Sequence, residues 1–289
     1  MSNHSHRLSI LSAKEVDDLY GLPHFTEDER HLYFDLSPAE REVVATVRTV
    51  SVAVYLTLQL GYFKAKRQFF SYQQATVLED LNYIVKQNFP GQRLSLIKLP
   101  FRHTRIEQQQ TILQLFNYRL CNSDAKIELE SKAQRVAMLS IQPLYIFREL
   151  IQHLAGHRVV APSYRFLQEM IGRVVTGERT RITKLLTKAI TPMVESQLKT
   201  LLAAEEGVYG ISLLKHEPKD FSYKELRREV DRRKYFQPLH AFTQILLATT
   251  GISNESGKYY AGLVKFYTAY KLRRMSLATV TSFAVLRMT

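Results

Sequence analysis

The sequence predicts a nearly all-α protein built of consecutive small helical domains, with at most one or two short strands. Three observations lead there: helix-start signals recur along the chain, apolar residues fall at three- and four-residue steps, and strand-like alternation is scarce. Ser37, Pro38 and Glu40 combine a capping hydroxyl, a proline at the first helical position and a glutamate able to reach back to the cap. Thr104 with Glu107, and Ser222 with Glu225, repeat the spacing of that box. Pro143 and Pro192 mark further starts, because proline gives up only an amide that is unpaired in the first turn. Gly156 and Gly207 are the matching stops, since glycine closes a helix in the left-handed conformation without strain.

Between these marks the first block predicts helices over Glu27–Leu32, Pro38–Val47 and Val50–Phe63, a three-helix unit. The uncharged run from Thr49 to Phe63 contains Thr49, Ser51, Thr57 and Gln59. It is shorter than the roughly 20 apolar residues a membrane-spanning helix requires, so it reads as a buried helix. Further on, Leu144, Phe147, Leu150, Ile151 and Leu154 form one helical stripe. Leu185, Leu186, Ile190, Met193, Leu198, Leu201 and Leu202 continue the pattern across a break at Pro192. Gln92–Leu99 and Val208–Leu214 are the short strand candidates. The polar stretch Asn117–Asp124 suggests a boundary, giving domains over 1–122, 123–206 and 207–289. The last is expected to be truncated, because a helix beginning near Ser276 meets the chain end at Thr289.

Forty lysines and arginines against 27 acidic residues leave a formal charge of +13, which needs an anionic partner or must be tolerated as self-repulsion. Hydrophobic residues make up 45% of the chain, enough for a sizeable core and against wholesale disorder. Cys121 is the single cysteine, so no internal disulfide or thiolate zinc cage can form. The opening residues lack the apolar core of a signal peptide. A soluble, cytoplasmic protein without a membrane partner is expected.

The basic residues that could meet phosphates form several groups. Lys64, Lys66 and Arg67 follow the first three helices, with Phe63, Phe69, Phe70 and Tyr72 nearby. Arg102, His103, Thr104 and Arg105 sit at a helix amino terminus, where backbone amides also favour anions. From Arg158 to Lys188, Arg158, Arg165, Arg173, Arg179, Arg181, Lys184 and Lys188 face only Glu169 and Glu178. A helix beginning after Ser163 puts Ser163, Tyr164 and Arg165 at its first turn. The preceding helix ends near Gly156, a loose helix–connector–helix arrangement whose connector exceeds the usual 3–4 residues. In that reading the helix after Ser163 reads bases, while Arg158, Arg179 and Arg181 hold phosphates and Lys184 extends the basic face. Arg273 and Arg274 have no acids close by, whereas Lys224, Arg227 and Arg228 are interleaved with Glu225, Glu229 and Asp231. For every group the competing reading is a solvated surface.

Enzymatic readings find no support in the residues. His153 and His157 have the four-residue spacing of a helical metal pair, but no third ligand can be named. His4 and His6 sit in the terminal segment, and Cys121 has no local base to activate it. Neither a catalytic residue, a cofactor nor a metal site is expected.

Four segments carry a resemblance to a known family. The first runs through Ile10–Val16, Leu19–Thr26, Leu32–Glu40 and Leu58–Phe63. The others are Arg158–Gln168, Lys219–Glu229, and Ile252 through Tyr259 and Tyr260 to Tyr270–Arg274. In their order and spacing they resemble the amino-terminal part of Tn3-family transposases. The resemblance implies sequence-specific binding of double-stranded DNA at transposon terminal inverted repeats. It also implies that cutting belongs to a carboxy-terminal RNase H-like domain with three carboxylates and divalent metal, which this chain lacks, so that no enzymatic activity of its own is expected. Dimer formation would then involve the missing regions. The alternatives are an α-helical protein-interaction module and a truncated, inactive or inhibitory transposase remnant.

Overall fold

In the computed structural model, which describes residues 8–205, 208–209, 211–212, 218–231, 251–268, 271–272 and 274–275, regular structure is nearly all helical. The first half runs α1 (Ala13–Tyr20), α2 (Glu27–Phe34), α3 (Pro38–Ala45), α4 (Val50–Lys66), α5 (Leu78–Asn88) and α6 (Arg102–Phe116). Strand β1 (Arg119–Leu120) leads to α7 (Ser123–Leu139) and α8 (Pro143–Gly156). There follow β2 (Val159–Val160), α9 (Tyr164–Ala189), α10 (Pro192–Leu202), β3 (Ala204–Glu205), β4 (Val208–Tyr209) and α11 (Asn254–Phe266). The two strand pairs are two residues long, β1 with β2 parallel and β3 with β4 antiparallel. Among the described residues no helix is long and apolar enough to cross a membrane. Two compact units interleave in sequence: one holds residues 1–128 and 150–168, the other 129–149 and 169–289.

Local chemistry sets most of the helix starts. Ser37 caps α3 as expected, its Oγ accepting the Glu40 N–H at 3.3 Å while Glu40 Oε2 accepts the Ser37 N–H at 2.8 Å. The same reciprocal box opens α1 through Ser12 and Glu15 and α2 through Thr26 and Glu29. Pro143 and Pro192 each stand first in their helices, and α8 ends at Gly156, but the glycine stays helical and the left-handed residue expected there is Arg158, two positions later. The box expected at Thr104 does not form. Helix α6 starts three residues earlier, with Phe101 at its cap and no side-chain cap bond, and Thr104 lies inside the first turn. A cap is worth only about 1 kcal/mol, and packing of the helix against its neighbours outweighs it. The strand expected over Gln92–Leu99 is replaced by a 3-10 turn at Leu94–Leu96, whose Ile97 is buried. With no neighbouring strand to pair its amides, that segment closes its own bonds instead. Of Val208–Leu214, only Val208–Tyr209 is strand, and the residues from 213 lie outside the described ones. Gly207 and the helix expected near Ser276 also lie outside them.

In the first unit, α4 is the core. Every residue from Ala53 to Phe63 is buried, as the long uncharged run predicts, and α2, α3, α5 and α6 pack around it. Val54, Tyr55, Leu58 and Tyr62 face one cluster with Phe34, Leu81 and Ile84. Leu56, Leu60 and Phe63 face another with Leu36, Ile112 and Val160. Full burial of each such side chain contributes about 1.5–3 kcal/mol. Two polar side chains carried inward pair with each other: Gln59 donates to Gln108, and Gln108 donates to the Val52 carbonyl at 2.8 Å, whereas the buried Tyr55 hydroxyl has no hydrogen-bond partner among the described residues. Tyr62 donates to Asp80 at 2.7 Å, and Arg30 completes the network with contacts to Asp80 at 2.8 Å and Glu79 at 2.7 Å. Tyr62 loses its phenolic proton well above the usual range, through burial and this carboxylate.

In the second unit, buried residues and ion pairs lie along α7, α8 and α9. Met170, Ile171, Val174, Val175, Ile182 and Leu186 are buried along α9. Lys132 pairs with Glu149 at 3.6 Å, and Arg173 pairs with Glu130 at 3.5 Å. Ser253 caps α11 by accepting the Ser256 N–H at 3.2 Å, and its hydroxyl donates to the Leu139 carbonyl at 2.6 Å. Ser222 likewise accepts the Glu225 N–H at 3.4 Å, at the head of the helical residues 223–231.

Gly61 sets the approach of α2 to α4, because a Cβ there would overlap the Phe34 ring. Gly61→Ala is expected to cost about 1–3 kcal/mol by overpacking, despite the better helix propensity of alanine. Urea denaturation measures this directly, and unchanged stability would show that the contact is slack.

Candidate nucleic-acid interface

The basic residues separate by what their charges already touch. Lys64 is mostly buried, with its ammonium on the Asp35 carbonyl at 2.7 Å and on Glu40 at 3.2 Å. Lys66 donates to the Gly21 carbonyl at 2.8 Å and the Asp17 carbonyl at 3.2 Å, at the end of α1. Burial makes its ammonium easier to deprotonate, with Asp17 and Asp18 opposing that effect. Both lysines therefore tie helix ends together within the first unit. Arg67 is different: it is exposed and caps α4 in the left-handed conformation. Its guanidinium lies over Phe116 at 5.3 Å and over Phe63 and Tyr118 at 5.8 Å each.

Three non-glycine residues among the described ones adopt positive φ: Arg67 at 53°, Asn117 at 54° and Arg158 at 51°. Each follows a helix end, the position where glycine is normally favoured. They converge at the carboxy-terminal end of α6. Arg67 stacks on the Phe116 ring, and Arg158 reaches the Phe116 carbonyl through Nη1 at 3.5 Å. The Arg158 carbonyl accepts the Arg119 N–H at 2.9 Å and leads into the parallel pairing of Arg119 with Val159 and Leu120 with Val160. Arg119 and Arg158 are both exposed, so three arginines surround one helix end. The spacing of Arg158 and Arg67 in sequence gives no hint of this, and Arg119 escapes sequence reasoning altogether. Its signal is the short strand that places it beside Arg158. Chemically the arrangement offers planar, permanently charged donors suited to phosphate.

Arg102, His103, Thr104 and Arg105 occupy the first turn of α6, at the other end of the same helix. The 14 helical steps from Arg102 to Phe116 separate the two groups by about 21 Å. Arg102 and His103 are exposed, and His103 stacks on Phe101 with ring centroids 5.9 Å apart. Thr104 and Arg105 are half-buried, and Arg105 Nε is a buried donor without a hydrogen-bond partner.

Helix α9 begins after Ser163 as expected, and the polar atoms of its first turn serve the fold. Ser163 Oγ accepts the Phe166 N–H at 3.3 Å. Tyr164 Oη accepts the N–H groups of Leu11 at 3.2 Å and Ile10 at 3.4 Å, anchoring the amino-terminal segment. Arg165 is exposed beside them. The connector between α8 and α9 holds β2, so the arrangement is a strand-tied link rather than a tight turn. In the second unit, Arg181 makes two bonds to the buried Glu178 carboxylate, at 2.6 and 2.7 Å. Arg179 is exposed and hydrogen-bonds Tyr260, whose hydroxyl burial pushes up to about 12. Lys184 and Arg274 are exposed, while Arg273 lies outside the described residues.

Residues 10–174 match the family described as Domain of unknown function (DUF4158), over more than half the chain. The chain belongs to the DUF4158 family. No curated protein matches it. The DUF4158 region takes in α1 to α8 and the first turns of α9, and with them Arg67, Arg119, Arg158 and Arg165. Arg179, Arg181, Lys184 and Arg274 fall beyond it.

Cys121 is half-buried, and that burial raises its thiol further from ionisation, against the pull of Lys126 and Arg119. His153 and His157, for which the sequence offers no third ligand, are joined in space by Glu128 of α7.

Because a left-handed residue with a Cβ costs about 1–2 kcal/mol, Arg158→Gly should keep or raise the stability of the DUF4158 region. Arg158→Ala should be the less stable of the two by about 1 kcal/mol in urea denaturation. An Arg158→Gly protein less stable than Arg158→Ala would show that the left-handed backbone is not where the strain lies.

Proposed function

We propose that this chain binds duplex DNA at the terminal inverted repeats of a Tn3-type transposon. It would position a separate RNase H-like catalytic domain there and carry no catalytic centre itself. The observation that supports this reading is the arginine cluster at the end of α6. Arg67 and Arg158 occupy left-handed caps that glycine would fill more cheaply, and both are exposed beside Arg119. Strain retained at exposed cations is understandable if those cations do work outside the fold. The formal charge of +13 supports an anionic partner in the same direction. The resemblance of the ordered sequence segments to Tn3-family transposases supports the choice of transposon ends as the substrate.

In this reading Arg67, Arg119 and Arg158 hold phosphates, with Arg102 and His103 reaching a second backbone segment about one α6 length away. Arg165, exposed in the first turn of α9, reads base edges. A second reading, a protein-interaction module, draws on the exposed apolar stripe of Tyr223, Leu226 and Val230 at helical spacing. It predicts association that salt hardly weakens, unlike phosphate binding.

Fluorescence anisotropy with a duplex carrying the inverted repeat of the encoding element, against a scrambled duplex, tests the proposal. Preference for the repeat by at least about 10-fold is expected at physiological salt. Arg165→Ala should bring the two affinities together, while Arg119→Ala should weaken both alike. Equal affinity of the unmodified chain for both duplexes would remove the end-recognition role, and no binding to either would remove DNA binding.

A further inference from the structure

Helix α8 ends with two histidines one turn apart, His153 and His157, and α7 brings Glu128 against them. All three lie in the first unit. Each offers one ligand atom, and these atoms lie within 4.8 Å of one another. The separation of His153 Nε2 from Glu128 Oε1 is 3.5 Å. Two ligands on a tetrahedral zinc ion, with bonds of about 2.0–2.1 Å, stand about 3.4 Å apart.

The second shell fits as well. His157 Nδ1 lies 2.8 Å from the His153 carbonyl, which can only accept, so Nδ1 carries the proton and Nε2 keeps its lone pair. A ring nitrogen tied to a backbone carbonyl is the usual second-shell partner of a metal-binding imidazole. The same carbonyl accepts the His157 N–H at 3.1 Å, so the helical bond survives across Gly156 and both imidazoles leave the same side of the turn. Their ring centroids are 4.1 Å apart, a crowding that two imidazolium cations would oppose and one shared cation would relieve. The site also faces the carboxy-terminal end of α8, where the helix dipole favours positive charge. An ion pair between His153 and Glu128 accounts for one of these contacts but leaves the placement and tautomer of His157 unused.

We infer that Glu128, His153 and His157 form a binding site for one zinc-like divalent cation, joining α7 to the end of α8. Two nitrogens and one carboxylate oxygen leave the fourth tetrahedral position to water. Glu128 and His157 are exposed, so a hydrated ion can reach the site without opening the fold.

The test is isothermal titration of the chelator-treated chain with zinc, together with the visible spectrum after cobalt is added in its place. One equivalent is expected to bind, with cobalt bands of a four- or five-coordinate ion and a raised melting temperature. Glu128→Gln and His157→Ala should each weaken binding at least about 10-fold. Both change exposed side chains, and circular dichroism checks that each variant is folded. The terminal His4 and His6 could also take up metal, so the His4→Ala, His6→Ala variant is titrated alongside and should keep its one equivalent. Absence of binding would overturn the inference. So would unchanged affinity in both site variants, or loss of binding in the His4, His6 variant. None of these readouts involves DNA, so the inference stands or falls apart from the proposed function.

Discussion

Burial of α4 on all sides is the constraint from which the first unit follows. An α-helix with 11 successive buried residues, Ala53–Phe63, must be covered on every face, and α2, α3, α5 and α6 provide the cover. Covering it has local consequences that single residues reveal. Gly61 keeps the backbone bare where Phe34 lies against it. Gln59 and Tyr62 enter the interior with Gln108 and Asp80 there to bond them. Arg30, on α2, then has to approach Asp80, since a buried carboxylate without a cation would be costly.

The same packing decides which cations remain available. Lys64 and Lys66, on the last turn of α4, point back onto carbonyls at the ends of α2 and α1 and neutralise the negative ends of those helices. Arg67, one residue later, turns outward through its left-handed backbone and rests on an aromatic platform supplied by α4 and the end of α6. One short parallel strand pair then brings Arg158 and Arg119 to that platform. A chain with abundant lysine and arginine thus uses part of its charge to close helices and leaves part of it exposed at one helix end.

Much of the fold was legible because helix punctuation is local chemistry. The proline-led starts of α3, α8 and α10 and the buried α4 follow from residues within a few positions of each other. The boxes at Ser12 and Thr26 carry the same written signal as Ser37. Tertiary packing overrides local preference at the start of α6 and in the Leu94–Leu96 turn. The candidate sites were less legible for a different reason. Arg67, Arg119 and Arg158 are brought together by a two-residue strand pairing far too short to show in a pattern. Glu128 joins His153 and His157 through the meeting of two helices. Spacing along a chain reports what shares a helix face, not what a neighbouring helix delivers to it.

The salt dependence of duplex binding by the Arg67→Gly, Arg158→Gly double variant tests the central claim most directly. Glycine suits both left-handed positions, so the fold is expected to survive while two cations are lost. If both arginines meet phosphates, the slope of log affinity against log salt should become shallower by about 2 relative to the unmodified chain. A slope unchanged in a folded double variant would mean that the arginines around the end of α6 do not touch DNA.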